Sequence, residues 1–542
     1  MTATQLMLSV TVTETGVGEM AVDVQSGYTK LEEPVKEAEE VLGDSQIAKV
    51  FAGSTILVTG GTGFLGRLLV EKLLRSCPDV KKVYLLARPK KNKDINERIR
   101  EQFNDVLYDR LRKERPDFLD QIGLVEGDIG ELNVGLSEES RAKLANEVDI
   151  IFHGAATVRF DEALPIAVNI NVRGAREMLL LARACPRLRA YIHVSTAYSN
   201  CNLKEIEERF YESPIDAEKL ITLTDNIDAN TLSKITPMLL NGFPNTYAFT
   251  KAAAEDIVKK YSKGLPVVVY RPSIVISTAK EPVPGWINNV YGPTGVVVSA
   301  AVGLMHVLHC NPKAVADLVP GDMVVNCAIA AAWRMARDFP RNEEAPTVDQ
   351  APAVYNFVSS VDKPLLWENF MKISEVNGLP IPPANAIWYY SLILTNSKIL
   401  YELLFFFLHW VPAYIVDGIA ILLGKKPILR HAFDKIKKFS KVIKYFGVRE
   451  WKFENDNTKS LFREMTPADQ ESFNFNIGGL EWNEYFKHYV SGVRKYLLKE
   501  SEDNLQYARR KSFVLKILHN TLKYLVLLGI LYISYKLLCI LY

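Results

Sequence analysis

The chain has 542 residues, more than one ordinary domain, and its 48% hydrophobic share is enough for a sizeable core. With 65 basic against 63 acidic residues the net charge is +2, which argues against a nucleic-acid binder, since those carry a clear basic excess. The six cysteines, Cys77, Cys185, Cys201, Cys310, Cys327 and Cys539, form no CxxC pair, which suits a reducing compartment and argues against a disulfide framework or a metal site.

The first lysine or arginine is Lys30, and the weakly apolar start from Leu6 to Val12 is broken by Ser and Thr, so no secretory signal is expected. The polar stretch to about Leu42 reads as a flexible arm, set off as residues 1–50. From Ser54, short β-rich runs (Thr55–Thr59, 82–86, 123–127, 149–152, Ala190–Val194 and 267–270) alternate with helical segments such as Phe64–Ser76, 173–185 and 247–261. Continuous apolar strands alternating with helices imply a parallel sheet, so an α/β, doubly wound Rossmann-type domain is expected over 51–345.

Beyond residue 345, Pro-containing polar segments mark a change of unit, read as a smaller, mainly helical domain. The apolar and aromatic stretch 387–423 is interrupted by Glu402, His409, Pro412 and Asp417, which makes it a poor span. It reads either as a buried core helix or as a membrane-dipping, acyl-contacting element. The tail is more apolar. From Tyr524 to Tyr542 only Lys536 is charged, and a helix of that length reaches ~28 Å, close to the hydrocarbon core. Arg509, Arg510, Lys511, Lys516 and Lys523 precede it, as expected of a flank left on the cytosolic side, so 512–542 reads as a membrane anchor in contact with lipid. A surface-lying amphipathic helix is the alternative. The C-terminal Ile540-Leu541-Tyr542 is neither a KDEL-type nor an SKL-type signal.

The strongest local motif is Thr59-Gly60-Gly61-Thr62-Gly63-Phe64-Leu65-Gly66, between an apolar strand and a helix. A pyrophosphate must reach backbone N–H groups at that helix N-terminus, and a Cβ would block it. Gly60, Thr62, Gly63, Phe64, Leu65 and Gly66 are therefore candidate cofactor residues, with Gly66 letting the helix sit close to the strand. Arg88 lies 22 residues past Gly66, where an NAD site would place a carboxylate, and a guanidinium there suits a 2′-phosphate, favouring NADPH. A surface arginine is the plainer reading. Asp128, after the third strand, is a candidate for the adenine amino group, and Ala155, after the fourth, leaves room for the cofactor to lie flat.

Tyr247-Ala248-Phe249-Thr250-Lys251 places a phenol and an ammonium on one helix face. The lysine charge is expected to lower the tyrosine pKa, so that the phenol passes a proton to a carbonyl oxygen. Alone the pentad is weak, because 24 tyrosines would give roughly one such match by chance. Behind a dinucleotide turn, and after a strand that ends in Ser195-Thr196, it carries weight. Strand alternation sends Ser195 and Thr196 to opposite faces, so only one of them can serve the same carbonyl.

These motifs resemble the extended short-chain dehydrogenase/reductases and, among them, the fatty acyl-CoA reductases of the male sterility group. The resemblance also covers Pro284-Gly285-Trp286-Ile287-Asn288-Asn289, Gly292-Pro293-Thr294-Gly295 and Asp317-Leu318-Val319-Pro320-Gly321-Asp322. It extends to Phe453-Glu454-Asn455-Asp456-Asn457, Phe473-Asn474-Phe475, Trp482, Tyr485, Gly492, Arg494 and Tyr496 in a C-terminal domain over 346–505, and is nearest to the animal, particularly arthropod, branch.

The resemblance implies NADPH, a long-chain acyl-CoA substrate, a primary alcohol product and two hydride transfers through a held aldehyde. It also implies that Thr196, rather than Ser195, is the hydroxyl partner of catalytic Tyr247 and Lys251. A cytosolic active site on the endoplasmic reticulum, or second on the peroxisome, follows the same resemblance, and a homodimer is compatible with it. The alternative within the superfamily is a dehydrogenase acting on a sterol or nucleotide sugar.

Overall fold

The computed structural model describes residues 44–88, 94–339 and 351–541. Seven strands build the central sheet: β1 (Thr55–Thr59), β2 (Lys82–Ala87), β3 (Ile122–Glu126), β4 (Ile150–His153), β5 (Ala190–Val194), β6 (Val267–Pro272) and β7 (Ala353–Phe357). All neighbours pair in parallel, in the order β3-β2-β1-β4-β5-β6-β7. Successive side chains of a strand point to opposite faces, so each strand feeds two cores. Ile56, Val58, Phe152, Ile192 and Val268 point to one face, where α1 (Phe64–Ser76) packs. Leu57, Ile151, Tyr191, Val267 and Val269 point to the other, where α2 (Gly174–Arg183) and α3 (Thr246–Tyr261) pack. A further helix, α4 (Gly321–Asp338), joins α1 on the first face.

Two boundaries differ from the sequence reading. The strand β7 lies beyond residue 345, yet it completes the sheet beside β6. Its run Ala353-Val354-Tyr355-Asn356-Phe357 is disguised by Asn356, a buried polar residue whose Nδ2 donates to the carbonyls of Ile206 (3.3 Å) and Glu454 (2.8 Å). The flexible arm was set off at residue 50, but a helix already runs over Gln46–Phe51. Its start is fixed by Asp469, which accepts from the Ser45 hydroxyl (2.5 Å) and from the amides of Gln46 (3.0 Å) and Ile47 (3.3 Å). The rest of the arm, residues 1–43, lies outside the described residues.

The C-terminal part is mainly helical: α5 (Lys398–Leu422), α6 (Leu429–Gly447), α7 (Trp482–Gly492) and α8 (Leu505–Leu541). The aromatic stretch becomes α5, with a π turn over Phe406–Trp410. It buries Tyr401, Phe405, His409, Ala413 and Asp417, one residue in four, and leaves its other face exposed. The tail becomes α8, which starts earlier than the apolar run because its basic flank lies in the same helix.

Two glycines dock α7 onto the Rossmann body. A Cβ on Gly492 would lie 1.8 Å from the Gly285 carbonyl oxygen, and one on Gly285 would lie 2.1 Å from that of His488. A second tie runs from an ion network inside the Rossmann body, through Lys72, to the C-terminal part. Glu281 accepts from Lys72 and Arg75 of α1, while Lys72 also donates to the Ser472 carbonyl and Arg75 pairs with Glu71. Burial opposes ionisation of Glu281, but the two cations outweigh it and hold the carboxyl well below its usual range. Its contribution is therefore present above the ordinary carboxylate pKa and fades as pH falls. Glu281→Gln should cost about 3 kcal/mol at neutral pH, because buried Lys72 loses its carboxylate and Arg75 keeps only Glu71. Urea unfolding at pH 7 and in acid checks this, with the gap to the parent narrowing in acid. An unchanged midpoint at pH 7 would remove the network from the account.

Candidate active site

The C-terminal ends of β1 to β5 open onto one crevice, at the point where strand order reverses between β1 and β4. The β1–α1 turn is held by its own backbone, with Gly63 N–H donating to the Gly60 carbonyl at 2.9 Å. Gly60 has φ +77°, and a Cβ there would meet the Ala155 amide nitrogen at 2.9 Å. A Cβ on Gly66 would lie 2.1 Å from the Gly60 carbonyl oxygen. The close partner of Gly66 is thus the turn itself, whereas the sequence suggested the strand. Gly63 caps α1 without a side-chain bond, so the helix N-terminus offers its amides to an anion.

Two further residues shape this turn. Phe64 stacks on Trp286 at 5.4 Å and 10°, and Thr62 accepts from Arg67 Nε at 3.2 Å. Trp286 was noted in the sequence as part of a motif, but its contact with the turn was not foreseen. Leu65 is half-buried against the first core. At the far side of the crevice, Arg88 is 63% exposed and lies 3.7 Å from Asp128. The structure brings these two together at the ends of β2 and β3.

The floor of the crevice is a chain of buried polar contacts. Thr59 Oγ1 meets His153 Nδ1 at 2.9 Å and accepts from Ala155 N at 3.2 Å, which ties β1 to β4. Burial pushes His153 down to about 3, with Lys251 adding to the shift, so the imidazole stays neutral. His193, on β5, is buried with neither ring nitrogen hydrogen-bonded within the described residues.

The catalytic candidates converge at the mouth of β5. Thr196 faces the Tyr247 phenol and favours its ionised form, and its hydroxyl accepts from Tyr198 N at 3.2 Å. Ser195 turns away and donates to Glu255 at 2.5 Å, as strand alternation requires. Glu255 also takes two bonds from the buried guanidinium of Arg271, at 2.9 and 2.6 Å. Lys251 is buried and donates to the Val194 carbonyl at 2.8 Å.

Burial pushes the Tyr247 phenol up to about 12. The lowering expected from Lys251 does not arise: burial of the phenol sets the shift, and only Thr196 opposes it. Burial also brings Lys251 down to about 8, with Glu255 opposing.

Sequence reasoning missed three supports. Asn171, on a π turn over Val168–Arg173, donates to Thr250 Oγ1 (2.9 Å) and accepts from Thr157 N (2.9 Å). It locks α3, which bears Tyr247 and Lys251, to the loop after β4. Its only trace in the sequence is a polar residue inside an apolar helical run. Phe160 stacks on Tyr247 at 5.7 Å, and Phe446, at the end of α6, packs on Phe160 at 5.4 Å. With Tyr198, Trp451 and Phe453 they form an aromatic wall over the crevice, contributed largely by the C-terminal part.

Against known proteins, a family model described as male sterility protein matches residues 58–328, and a second with the same description matches 408–500. The fatty acyl-CoA reductase wat of Drosophila melanogaster is 36% identical over 500 residues, covering 92% of this chain and 95% of that protein. Fatty acyl-CoA reductase 2 of Homo sapiens is 36% identical, covering 89% of this chain and 92% of its own length. Among solved structures, the reductase domain of a non-ribosomal peptide synthetase from Mycobacterium tuberculosis superposes with a TM-score of 0.53 at 18% identity, covering 84% of this chain and 98% of that domain. The terminal reductase domain of the myxalamid pathway gives 0.52 at 21%, covering 84% and 96%. These two share the fold.

The two neighbouring hydroxyls should separate on substitution. Ser195→Ala removes a donor from buried Glu255 and should lower stability by about 1–2 kcal/mol while largely sparing turnover. Thr196→Val also orphans the Tyr198 amide and should cost a similar amount of stability, but it should lower turnover of the folded enzyme by about a hundredfold. Equal losses of turnover in the two variants would contradict the assignment.

Proposed function

The chain belongs to the male sterility protein family, and on that premise we propose that it reduces long-chain acyl-CoA to the primary fatty alcohol with NADPH, by two hydride transfers through an aldehyde. The observation that carries this reading is Tyr247 facing Thr196 beside buried Lys251, set against a glycine turn in which a Cβ at Gly60 or Gly66 would meet backbone. A dinucleotide fits the residues present: an uncapped helix N-terminus for the pyrophosphate, Ala155 for the ring, and Arg88 and Asp128 for the adenosine end. The sterol or nucleotide-sugar alternative loses support, because the C-terminal part that walls the crevice matches the family model as well.

When bound, the nicotinamide supplies the hydride for each step. The chain's part is to hold the thioester carbonyl oxygen within reach of both Tyr247 and Thr196, whose hydrogen bonds stabilise the developing oxyanion. With its pKa near 12 the phenol is protonated at neutral pH and enters each step as a donor. Collapse of the first adduct breaks the C–S bond and expels CoA thiolate, a better leaving group than an alkoxide. In the second step the aldehyde oxygen takes its proton from the same phenol. Lys251, still mostly charged at neutral pH, is suited to hold the ribose hydroxyls. In all, one acyl-CoA, two NADPH and two protons give one alcohol, one CoA and two NADP⁺.

Residues 51–345, extended by β7, form the reductase unit in this reading; 346–505 form the family's C-terminal domain, and 512–542 the tether. Among the described residues, two helices, Lys398–Leu422 and Leu505–Ile540, are long and apolar enough to cross a membrane. Tethering by the second would hold a cytosolic reductase at the endoplasmic reticulum or, second, the peroxisome, where long-chain substrates partition into lipid.

The proton donor is tested by Tyr247→Phe, which should bind NADPH almost as well as the parent and lose at least ~10² in alcohol formation. Near-normal turnover would remove Tyr247 from its role. Cofactor choice is tested by Arg88→Ala, which should raise KM for NADPH by about tenfold or more and leave KM for NADH nearly unchanged. Equal effects would show that Arg88 does not read the phosphate.

The pH profile tests Lys251. Its ammonium is present below about 8 and lost above, so kcat/KM should fall as pH rises through about 8. Lys251→Arg stays charged, so its falling limb should move upward. A limb at the same pH in that variant would assign it to another group.

A further inference from the structure

The helix α5 is apolar enough to span a membrane, yet the structure ties it into a hairpin. Its buried stripe pairs antiparallel with α6: Tyr401 OH bonds Ser440 Oγ at 3.0 Å, Lys437 lies over the Phe405 ring at 5.2 Å, and His409 packs edge-on against Phe433 at 4.9 Å. At the tip, Asp417 accepts from the backbone amides of Ile428 (3.1 Å), Leu429 (3.0 Å) and Arg430 (2.8 Å), capping α6. Of the charges that interrupt the apolar run, Asp417 is buried in this cap, while Glu402 stays half-exposed and is neutralised by Lys437 at 3.1 Å.

What remains outside is a continuous apolar face, including Phe406 (48% exposed), Phe407 (56%), Ile415 (57%), Ile419 (52%) and Leu422 (87%). Beside it, the hairpin tip and α6 carry Lys425, Lys426, Arg430, Lys435, Lys438 and Lys441, against the single acidic residue Asp434. An apolar face beside a basic one suits an interface with anionic lipid. The buried side of α5 also leads toward the tail. The His306 amide donates to His409 Nε2 of α5 at 3.1 Å, and its ring meets Ser391 Oγ at 3.0 Å. Three residues before Ser391, Trp388 Nε1 donates to His519 Nδ1 of α8 at 3.0 Å. Burial, with His519 nearby, pushes His306 down to about 4. Both helices therefore leave the body from one small patch.

We propose that α5 is a second membrane contact, lying in one leaflet of an anionic phospholipid bilayer without crossing it, with the Lys425–Lys426 tip kept among the headgroups. The proposal rests on the reading that α8 tethers the chain to the same bilayer. It gives α6 a role, since α6 runs from this tip to Phe446 in the aromatic wall over Tyr247, a rise of ~26 Å. The hairpin thus joins the leaflet that holds the acyl chains to the crevice that reduces them.

The test uses the full-length protein in phosphatidylcholine–phosphatidylserine vesicles containing a phospholipid with a photoactivatable diazirine in its acyl chain, with adducts mapped by mass spectrometry. Adducts are expected on the outer face of α5 as well as on α8, and not on Tyr401, Ala413 or Asp417. The double variant Ile415→Glu, Leu422→Glu should cut α5 adducts by about tenfold or more and leave those on α8 unchanged. Trypsin added outside should still cleave after Lys425; Lys426 precedes Pro427 and is not a trypsin site. Adducts on α8 alone would overturn the second contact and keep the tether, and adducts on neither helix would overturn both. Protection of Lys425 would mean that the tip crosses, and cross-links from α5 to a second copy would mean that the face is a protein interface; either result overturns the proposal.

Discussion

All seven strands of the sheet run in one direction, and the rest of the molecule is arranged around that constraint. A parallel sheet needs a crossover after every strand, so both of its faces are covered by helices and its C-terminal edge is the one place left open. The turn after β1, Arg88 after β2, Asp128 after β3, Ala155 after β4 and Thr196 after β5 all lie on that edge because they follow strands, although they are far apart in the chain. Strand order reverses between β1 and β4, so the crossovers diverge there and a crevice opens. The glycines then set how closely backbone approaches backbone inside it.

The chemistry of the crevice is governed by burial as much as by charge. A phenol near 12 and an ammonium near 8 are both displaced toward their neutral forms, as expected of groups withdrawn from water. For the phenol the displacement suits its task, since a proton donor must hold its proton until an oxyanion forms beside it. For the ammonium it sets an upper pH limit on the site. The aromatic wall contributes to this dryness, and it is built largely by residues more than a hundred positions downstream of Tyr247, among them Phe446, Trp451 and Phe453.

Much of this was legible in the sequence because it is local. The glycine turn, the span of α1 and the Tyr247–Lys251 spacing are properties of neighbouring residues, and β1, β5 and α1 fall where periodicity put them. The choice of Thr196 over Ser195 was half legible: alternation said that only one could serve, and the Ser195–Glu255 bond gives the physical reason. What stayed hidden depends on partners distant in sequence. The strand β7 is masked by Asn356, whose partners Ile206 and Glu454 lie far off, and the docked helix at residue 46 depends on Asp469, more than four hundred residues away. The lowering of the Tyr247 pKa failed for a related reason, because spacing along a helix reports neighbours but not the solvent that tertiary packing removes.

The C-terminal part completes the reductase and, in the proposed reading, joins it to lipid. Gly285 against Gly492 and the bond from Lys72 to the Ser472 carbonyl make the two parts one body, so the proposed tether at the end of the chain would position the crevice relative to a bilayer. The central claim remains chemical: one crevice delivers hydride twice to the same carbon. Acyl-CoA reduced with NADPH deuterated at the transferred position tests it directly, with the alcohol analysed by mass spectrometry. The expected product carries two deuterium atoms at C1. An alcohol with one deuterium, or a product that stops at aldehyde however much NADPH is supplied, would contradict the account.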